Sequence, residues 1–310
     1  MKQTWIDTHI HVSDVGPDGT RRERMLENLL NVLDRCDADL RFVISCDSPY
    51  TWHMIQDPVG MMEGNRFIYE LVRRAPGRLY GSCTINPNLL EESLRVMDVC
   101  FSEWGFVQLG EMLQYMMNYR MDSDAGEAVV RHAVKYNVPV QVHLGTYCRP
   151  KHQGGRYRDE TSGDGIFHIA DLLGVAQRVP EAKYVLAHAI GCGPTPDYIS
   201  WADMFLDVIQ GSYDTYPDNF WIEIRDFQCK ALPRTIRDVP TNRLLAGTDW
   251  VTRVGPPFQP YGTMFDVKAG QNPFPPKVSS FVEFLRAAGA TENDIQRIGA
   301  ENARELFRLP

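Results

Sequence analysis

The stretch Trp5-Ile6-Asp7-Thr8-His9-Ile10-His11-Val12 has the composition of a buried β-strand that ends in polar groups. Side chains on a strand alternate between its two faces, so His9 and His11 project from one face and lie about 6.6 Å apart along the strand. Two imidazoles at this separation can converge on one metal ion. The pair alone is weak evidence, because alternation also produces it by chance and a buried imidazole often serves only as a hydrogen-bonding group.

Similar short apolar runs recur along the chain and alternate with amphipathic stretches. Near-continuous apolar strands are expected where helices cover both faces of a parallel sheet. The predicted strands span residues 4–12, 40–46, 79–85, 105–109, 138–144, 183–188, 219–224 and 243–247. Helical periodicity predicts helices over residues 21–36, 67–74, 89–103, 125–136 with Asp124 as N-cap, 166–179, 198–210 and 278–288.

Eight strands, each followed by a helix, predict an α/β fold of the (β/α)8 TIM barrel type that spans residues 1–310 as a single domain. A chain of 310 residues with 44% hydrophobic content can bury one large core. The alternative is an open doubly wound sheet. No Gly-x-Gly-x-x-Gly turn follows the first predicted strand, so the usual dinucleotide site of that alternative is missing.

Composition narrows the classes of partner. The formal net charge of −8 argues against nucleic acid, because nucleic-acid binders carry a concentrated basic surface, and a small-molecule substrate is expected instead. No apolar run is long enough for a membrane span and no signal peptide is recognisable, so we expect no membrane partner and a cytoplasmic location. The seven scattered cysteines suggest reduced thiols. A homo-oligomer is compatible with this composition, which does not determine the oligomeric state.

Polar residues occur at the ends of five predicted strands. In a (β/α)8 barrel the functional groups gather at the carboxyl ends of the strands, and several imidazoles with carboxylates suit zinc or another divalent metal. Singly, each residue has an ordinary structural explanation, as a cap or a hydrogen-bonded core group, but their joint occurrence favours a site. The candidate ligands are His9, His11, Glu111, His143, His188 and Asp249.

Five further residues carry hypotheses of their own. Asp7 lies on the same strand face as the first histidine pair, where it either accepts a hydrogen bond from a ligating imidazole or binds only backbone groups. The other histidines fall in predicted loops or helices and are interpreted as surface or structural groups. They are His53, His132, His152 and His168.

This arrangement resembles the amidohydrolase superfamily, and within it the amidohydrolase-related branch that contains the aminocarboxymuconate-semialdehyde decarboxylases. The resemblance runs from Asp7-Thr8-His9-Ile10-His11 through His143, His188 and Gly247-Thr248-Asp249 to the closing stretch Glu301-Asn302-Ala303-Arg304-Glu305-Leu306-Phe307. It implies that His9, His11, His143 and Asp249 bind metal. It also implies that His188 is either a ligand of a second ion or a catalytic acid/base.

Two details bear on the chemistry that the resemblance implies. Gly110-Glu111 is similar to the Gly-Glu step of TatD-like hydrolases, in which the glutamate bridges two ions, so one ion and two ions both stay open. Decarboxylases that act on aromatic acids often have a glutamate at the first position of the strand-one pair. This chain has His9 there, which favours hydrolysis.

The predicted function is therefore a metal-dependent hydrolase in which a divalent ion, with zinc expected first and manganese as the alternative, activates water to attack a small ester, lactone or amide. Asp249 is expected to take the proton and pass it to the leaving group. With one ion, His188 would stabilise the developing oxyanion or shuttle a proton; with two, Glu111 and His188 would hold the second ion. The alternative is a metal-dependent non-oxidative decarboxylase of an unsaturated or aromatic carboxylic acid, and a third hypothesis is a metal-binding scaffold without turnover.

Substrate specificity is expected from three long loops at the same end of the barrel, residues 47–54, 147–158 and 251–277. Arginine can grip a substrate carboxylate through two parallel hydrogen bonds. The candidate substrate-binding residues are Arg149, Arg225 and Arg253. A substrate that carries a carboxylate is accordingly predicted.

Overall fold

Parallel strands that pair in the order of the chain form the centre of the molecule. The structure is a computed structural model that describes residues 2–12, 24–46, 57–144, 164–190, 198–252, 261 and 277–310. Within these residues the strands are β1 (Thr4–Val12), β2 (Asp39–Ser45), β3 (Leu79–Cys83), β4 (Gln108–Met112), β5 (Val140–His143), β6 (Tyr184–Ile190), β7 (Phe220–Ile224), β8 (Leu244–Ala246) and β9 (Trp250–Thr252). They form one sheet in the order β8-β7-β6-β5-β4-β3-β2-β1-β9.

The last strand of the barrel consists of two halves, β8 and β9, separated by the Gly247-Thr248-Asp249 step, and the eighth predicted strand, residues 243–247, covers only the first half. β8 pairs in parallel with β7, and β9 pairs in parallel with β1. The Thr8 hydroxyl also donates to the Ala246 carbonyl at 3.0 Å, directly between β1 and β8. The last strand thus joins β7 to β1, and the fold is a (β/α)8 TIM barrel, as the sequence predicts.

Helices follow the strands and cover the outside of the barrel. They are α1 (Met25–Arg35), α2 (Pro58–Arg74), α3 (Leu90–Asp98), α4 (Gln114–Met117), α5 (Asp124–Tyr136), α6 (Asp164–Arg178), α7 (Tyr198–Ser212), α8 (Leu232–Asp238), α9 (Val278–Ala287), α10 (Glu292–Gln296) and α11 (Asn302–Phe307). Short 3-10 turns precede α3 and β8, and a π-helical turn follows α3 and another precedes α11. No helix in the described part of the chain is both long and apolar enough to cross a bilayer.

Most boundaries differ from the predictions by a few residues, and three differences have a clear physical reason. Asp124 is not the N-cap of α5: the cap is Ser123, whose hydroxyl accepts a hydrogen bond from the Gly126 amide at 3.1 Å. α2 begins well before residue 67, because Asp57 caps it and a proline at its first position has no amide that needs a partner. β4 lies later than residues 105–109, because its polar residues face the barrel interior and hide the strand from an apolar pattern.

Aromatic side chains fill the layer between the barrel and its last helices. Trp5 on β1 packs against Phe227 and Phe281, with ring centroids 5.9 and 6.0 Å away. A Cβ at Gly299 would lie 2.6 Å from the Trp5 ring, so only glycine fits there. The interior of the barrel, in contrast, holds a layer of buried polar side chains: Thr8, Ser82, Gln108, Gln141 and Glu223. The candidate metal ligands lie directly beside this polar layer.

Candidate metal centre

Four side chains from three strand ends, among them the two histidines of β1, converge at the mouth of the barrel. The Nε2 atoms of His9 and His11 lie 3.1 Å apart. Glu111 Oε2 lies 3.4 Å from the first of these nitrogens and 3.3 Å from the second. Asp249 Oδ1 lies 3.6 Å from His9 Nε2 and 2.8 Å from His11 Nε2. These four residues form the first donor group.

Three side chains on neighbouring strands form the second donor group, and Glu111 belongs to both groups. Glu111 Oε1 lies 2.8 Å from His143 Nδ1 and 2.9 Å from His188 Nε2. The two imidazole nitrogens lie 3.0 Å from each other. The structure therefore places His143 beside His188, on the far side of Glu111 from the first donor group.

The spacing and chemistry of the first donor group fit a divalent cation. Zinc bonds of 2.0–2.1 Å in a tetrahedral site hold neighbouring ligand atoms about 3.3 Å apart, and the contacts between donor atoms in this group range from 2.8 to 3.6 Å. Buried carboxylates outnumber guanidinium groups around these imidazoles in the described residues, since Glu111, Glu223 and Asp249 face one arginine, Arg225. Such an excess of negative charge in the barrel interior favours a bound cation.

Unusual backbone conformations bring three of these ligands into position. His188 has a backbone φ of 39° and Asp249 a backbone φ of 54°, in the left-handed region that residues other than glycine rarely adopt. Such conformations are found most often at functional sites, where the surrounding contacts hold them. Gly110 has φ of 135°, and a Cβ there would lie 2.6 Å from the Gln141 carbonyl oxygen. Glycine at this position therefore lets Glu111 enter the site.

Glu223 on β7 is a functional candidate that the sequence analysis did not identify. Its carboxylate is fully buried, and Oε2 lies 2.7 Å from His9 Nδ1. The signal was present in the sequence, because a glutamate within the otherwise apolar strand Phe220–Ile224 must find buried hydrogen-bond partners.

Asp7 binds backbone amides and hydroxyl groups. Its Oδ1 accepts hydrogen bonds from the backbone amides of His9 at 3.1 Å and Thr248 at 3.0 Å. Its Oδ2 accepts from the Thr248 hydroxyl at 2.6 Å and from the Tyr261 hydroxyl at 2.8 Å. Asp7 thus fixes the backbone on both sides of the first donor group, whereas Glu223 is the residue that contacts the His9 ring.

Burial and the neighbouring charges shift the pKa values of these groups. Burial opposes a charge on the His9 imidazole, but the carboxylates of Glu223, Glu111 and Asp249 outweigh it and hold the His9 pKa well above its usual value. Burial would raise the pKa of Asp249, but the Arg225 guanidinium outweighs this and holds the pKa far below its usual value.

The pKa values of two other buried carboxylates, Glu111 and Asp7, are shifted in opposite directions. For Glu111 burial is again overcome, here by the surrounding imidazoles, so its pKa is held well below the usual range. For Asp7 burial dominates and raises the pKa to about 6, despite the hydrogen bonds from Thr248 and Tyr261. The barrel mouth therefore favours ionised carboxylates among the candidate ligands themselves.

Of the three candidate arginines, Arg225 lies within the described residues. Arg225 Nη2 lies 2.8 Å from Asp249 Oδ2, and its side chain is 14% exposed. Arg149 and Arg253 lie outside the described residues, as do most of the three specificity loops. The structure thus puts one arginine at the rim of the first donor group.

Of the four remaining histidines, His132 and His168 lie within the described residues. His168 on α6 is fully buried, and its ring centroid lies 5.3 Å from that of His143, which agrees with the structural alternative and not with the surface one. The helix turns this residue towards the barrel, where it packs edge-on against a candidate ligand. His132 Nε2 lies 2.6 Å from Asp98 Oδ1, which agrees with a structural role. His53 and His152 lie outside the described residues.

Neither a protein-family model nor a curated protein matches the chain. Solved structures match over nearly their whole length. A Staphylococcus aureus protein classed as an amidohydrolase has 15% sequence identity and a TM-score of 0.67, with 98% of this chain and 99% of that chain covered. The chain therefore has the same fold as that protein.

Two further matches are enzymes with other activities. The 5-carboxyvanillate decarboxylase of Novosphingobium aromaticivorans, solved with manganese and 4-hydroxy-3-methoxy-5-nitrobenzoic acid, has 14% identity and a TM-score of 0.67, covering 99% of this chain and 96% of that one. The 4-oxalomesaconate hydratase LigJ of Rhodopseudomonas palustris has 13% identity and a TM-score of 0.62, covering 98% and 95%. At these identities the likeness concerns the fold, and for the fold it confirms the family resemblance found in the sequence.

Proposed function

We propose that this protein is a metal-dependent hydrolase that holds two divalent ions at the mouth of its barrel. The observation that carries the proposal is the placement of Glu111, whose Oε2 faces the β1 imidazoles while its Oε1 faces His143 and His188. A carboxylate with each oxygen directed at a different set of imidazoles is suited to bridge two ions. Paired ions are a common arrangement in hydrolytic sites.

The tautomers of two histidines support a role as ligands. His188 Nδ1 lies 3.0 Å from the Leu144 carbonyl oxygen, which can only accept, so this nitrogen carries the proton. In the tautomer that this contact selects, Nε2 is the nitrogen with a lone pair, and it faces Glu111 Oε1 at 2.9 Å. By the same argument the carboxylate beside His9 Nδ1 leaves His9 Nε2 as the ligand atom. This geometry favours His188 as a ligand of the second ion over the acid/base role.

Zinc is the ion we propose first, because imidazole nitrogens with one or two carboxylates are its usual ligands. Manganese, which is present in the Novosphingobium decarboxylase, is the alternative. A divalent ion in this site would lower the pKa of water and polarise the oxygen of a carbonyl group.

Asp249 is the residue that we propose to move the proton. Its side chain is 13% exposed, whereas the side chains of His9 and Glu111 are 1% and 2% exposed, so it lies closest to the open end of the barrel. Arg225 holds Oδ2 and keeps the group ionised. We propose that this carboxylate takes a proton from the attacking water and delivers it to the leaving group.

The substrate class that we propose is a small ester, lactone or amide that carries a carboxylate. Arg225 Nε is buried and makes no hydrogen bond within the described structure, so the guanidinium keeps donor capacity beyond its contact with Asp249. A substrate carboxylate at the rim could use this capacity. Arg149 and Arg253 remain candidates for the same role on the basis of the sequence.

A decarboxylase is the second candidate. The fold likeness to 5-carboxyvanillate decarboxylase, a carbon-carbon lyase, favours it, and the same donor groups could hold the carboxylate of an aromatic substrate. In that case a neighbouring acid would have to protonate the ring carbon from which carbon dioxide leaves. The two candidates therefore differ in their products.

Product analysis distinguishes them. The metal-loaded protein would be incubated with pairs of aromatic acids and their methyl esters or lactones, each labelled with ¹³C at the carboxyl carbon, in water enriched in ¹⁸O. Hydrolysis predicts ¹⁸O in the released acid and no labelled carbon dioxide, and an Asp249→Asn variant that still binds metal should lose this turnover. Labelled carbon dioxide without ¹⁸O in an acid product would overturn the hydrolase proposal in favour of the lyase.

A further inference from the structure

The buried carboxylate of Glu223 contacts both donor groups at once. Its Oε2 lies 2.7 Å from His9 Nδ1, in the first group, and accepts a hydrogen bond at 3.0 Å from the backbone amide of His188, in the second. Glu223 does not itself reach the candidate ligand atoms. We infer that it is the positioning residue that sets both donor groups for metal, an inference that rests on the metal centre proposed above.

All the acceptor capacity of this carboxylate is used. An ionised carboxylate has about four acceptor positions, and those of Glu223 face the His9 ring, the His188 amide, the Thr8 hydroxyl at 3.0 Å and the Gln141 side-chain amide at 3.0 Å. Three N–H groups and a hydroxyl whose hydrogen is shared with the Ala246 carbonyl surround this buried carboxylate and leave it a single orientation. Because the first of these donors is a ring nitrogen, that orientation also fixes the plane and the tautomer of His9.

The neighbouring polar layer holds Gln141 in turn. Its side-chain oxygen accepts from Gln108 Nε2 at 2.8 Å, so its amide nitrogen is directed at Glu223. On the other side, the Thr8 hydroxyl lies between Glu223 and the Ala246 carbonyl. The carboxylate is therefore supported from β1, β5 and β6 while it projects from β7.

Gly247 supplies an independent argument for this placement. A Cβ at Gly247 would lie 2.3 Å from Glu223 Cδ and 2.4 Å from Oε1, closer than any real contact. The glycine that precedes Thr248 and Asp249 thus leaves the space in which the carboxylate sits. A single added methyl group should displace Glu223 without altering any candidate ligand.

The same contact explains how the left-handed backbone at His188 is held. Residues other than glycine adopt this conformation at a cost, and surrounding contacts must determine it. The His188 amide donates to Glu223, and the His188 ring donates to the Leu144 carbonyl. Glu223 therefore acts on the second donor group through the backbone and on the first through a side chain.

The test is metal binding by the purified apo protein, with cobalt(II) as the probe in competition with a chromophoric chelator. In Glu223→Gln an amide nitrogen must face two of the four donors in either orientation of the side chain. We expect cobalt affinity to fall about 10–100-fold, the usual effect of removing such an outer partner, with a change in the visible spectrum of the bound cobalt. Gly247→Ala should give a change of the same kind.

Asn65→Leu is the matched control, because Asn65 is a buried polar side chain whose hydrogen bonds go to Met61 and Thr84, away from both donor groups and from Glu223. It should lower the unfolding temperature while the cobalt affinity and spectrum stay at the values of the unmodified protein. If Glu223→Gln does not fold, the cobalt affinity and spectrum of Gly247→Ala alone test the positioning role.

Three outcomes separate the possibilities. If the unmodified protein binds no metal, the proposed function fails and the inference fails with it. If the unmodified protein binds metal and both Glu223→Gln and Gly247→Ala bind it with the same affinity and spectrum, the positioning role is refuted while the proposed function stands. If Asn65→Leu weakens binding as much as Glu223→Gln does, the effect reflects general destabilisation of the protein and the specific role of Glu223 is likewise refuted.

Discussion

Replacing Glu111 by glutamine tests whether two ions share the mouth of the barrel. An amide keeps one acceptor oxygen, so it can serve one donor group and not both. Without a bridge the first group retains His9, His11 and Asp249, whereas the second retains only two imidazoles. We therefore expect the metal content to fall from two ions per chain to one.

The loss should also appear as a smaller stabilisation by metal. A ligand present at 100 times its Kd stabilises the folded state by about 2.7 kcal/mol. For 310 residues, an unfolding entropy of about 2.1 cal/mol/K per residue means that each ion raises Tm by about 4 °C. The unmodified protein should gain about 8 °C on loading and Glu111→Gln about half of that.

The assay combines elemental analysis after dialysis with thermal unfolding of loaded and chelated samples of the same variant. Subtracting the Tm of the chelated sample from the Tm of the loaded sample of the same variant removes the effect of the Glu111 contacts that exist without metal. Glu127→Gln is the control, because it removes a carboxylate from the protein surface. Two ions and the full rise in Tm in Glu111→Gln, or one ion in the unmodified protein, would refute the bridging role.

Three further outcomes are expected. Gly299→Ala places a Cβ 2.6 Å from the tryptophan ring of β1 and should destabilise the protein by about 1–3 kcal/mol in urea unfolding; an unchanged midpoint would contradict the tight packing. Tyr261→Phe removes a hydroxyl that donates to Asp7 and should cost about 1–3 kcal/mol in the same assay, with no loss if that hydrogen bond is absent in solution. The Tyr136 hydroxyl holds the pKa of Asp98 below its usual value, so the ionised group contributes stability above the usual Asp pKa of about 3.9, and this stability is lost as the pH falls through the lower folded value. Asp98→Asn should make the free energy of unfolding fall less steeply between about pH 5 and pH 2, and an unchanged slope would count against the contact.

The sequence predicts the barrel because its strands are buried on both faces. Such strands appear as short apolar runs, and β1 was predicted to the residue. The pattern fails where polar side chains face inward. β4 contains Gln108 and Glu111, both buried, so the apolar pattern places the strand at residues 105–109, which precede most of the observed strand.

The candidate site was predicted in part for a similar reason. Residues at strand ends stand out, so His9, His11, Glu111, His143, His188 and Asp249 could be named, and the structure brings them together in two donor groups. Long-range partners leave no local trace. Nothing in the periodicity of β7 shows that its glutamate meets a histidine 214 positions earlier in the chain.

The divided last strand makes the first donor group depend on closure of the barrel. Asp7 and Thr248, which flank the first donor group, are 241 positions apart in sequence, and contacts of such separation form late because a large loop must close first. The second donor group comes from consecutive strands, β4 to β6, and needs no such closure. The geometry of the first donor group therefore requires both β1 and the β8–β9 step to be in place, whereas that of the second depends on β4, β5 and β6 alone.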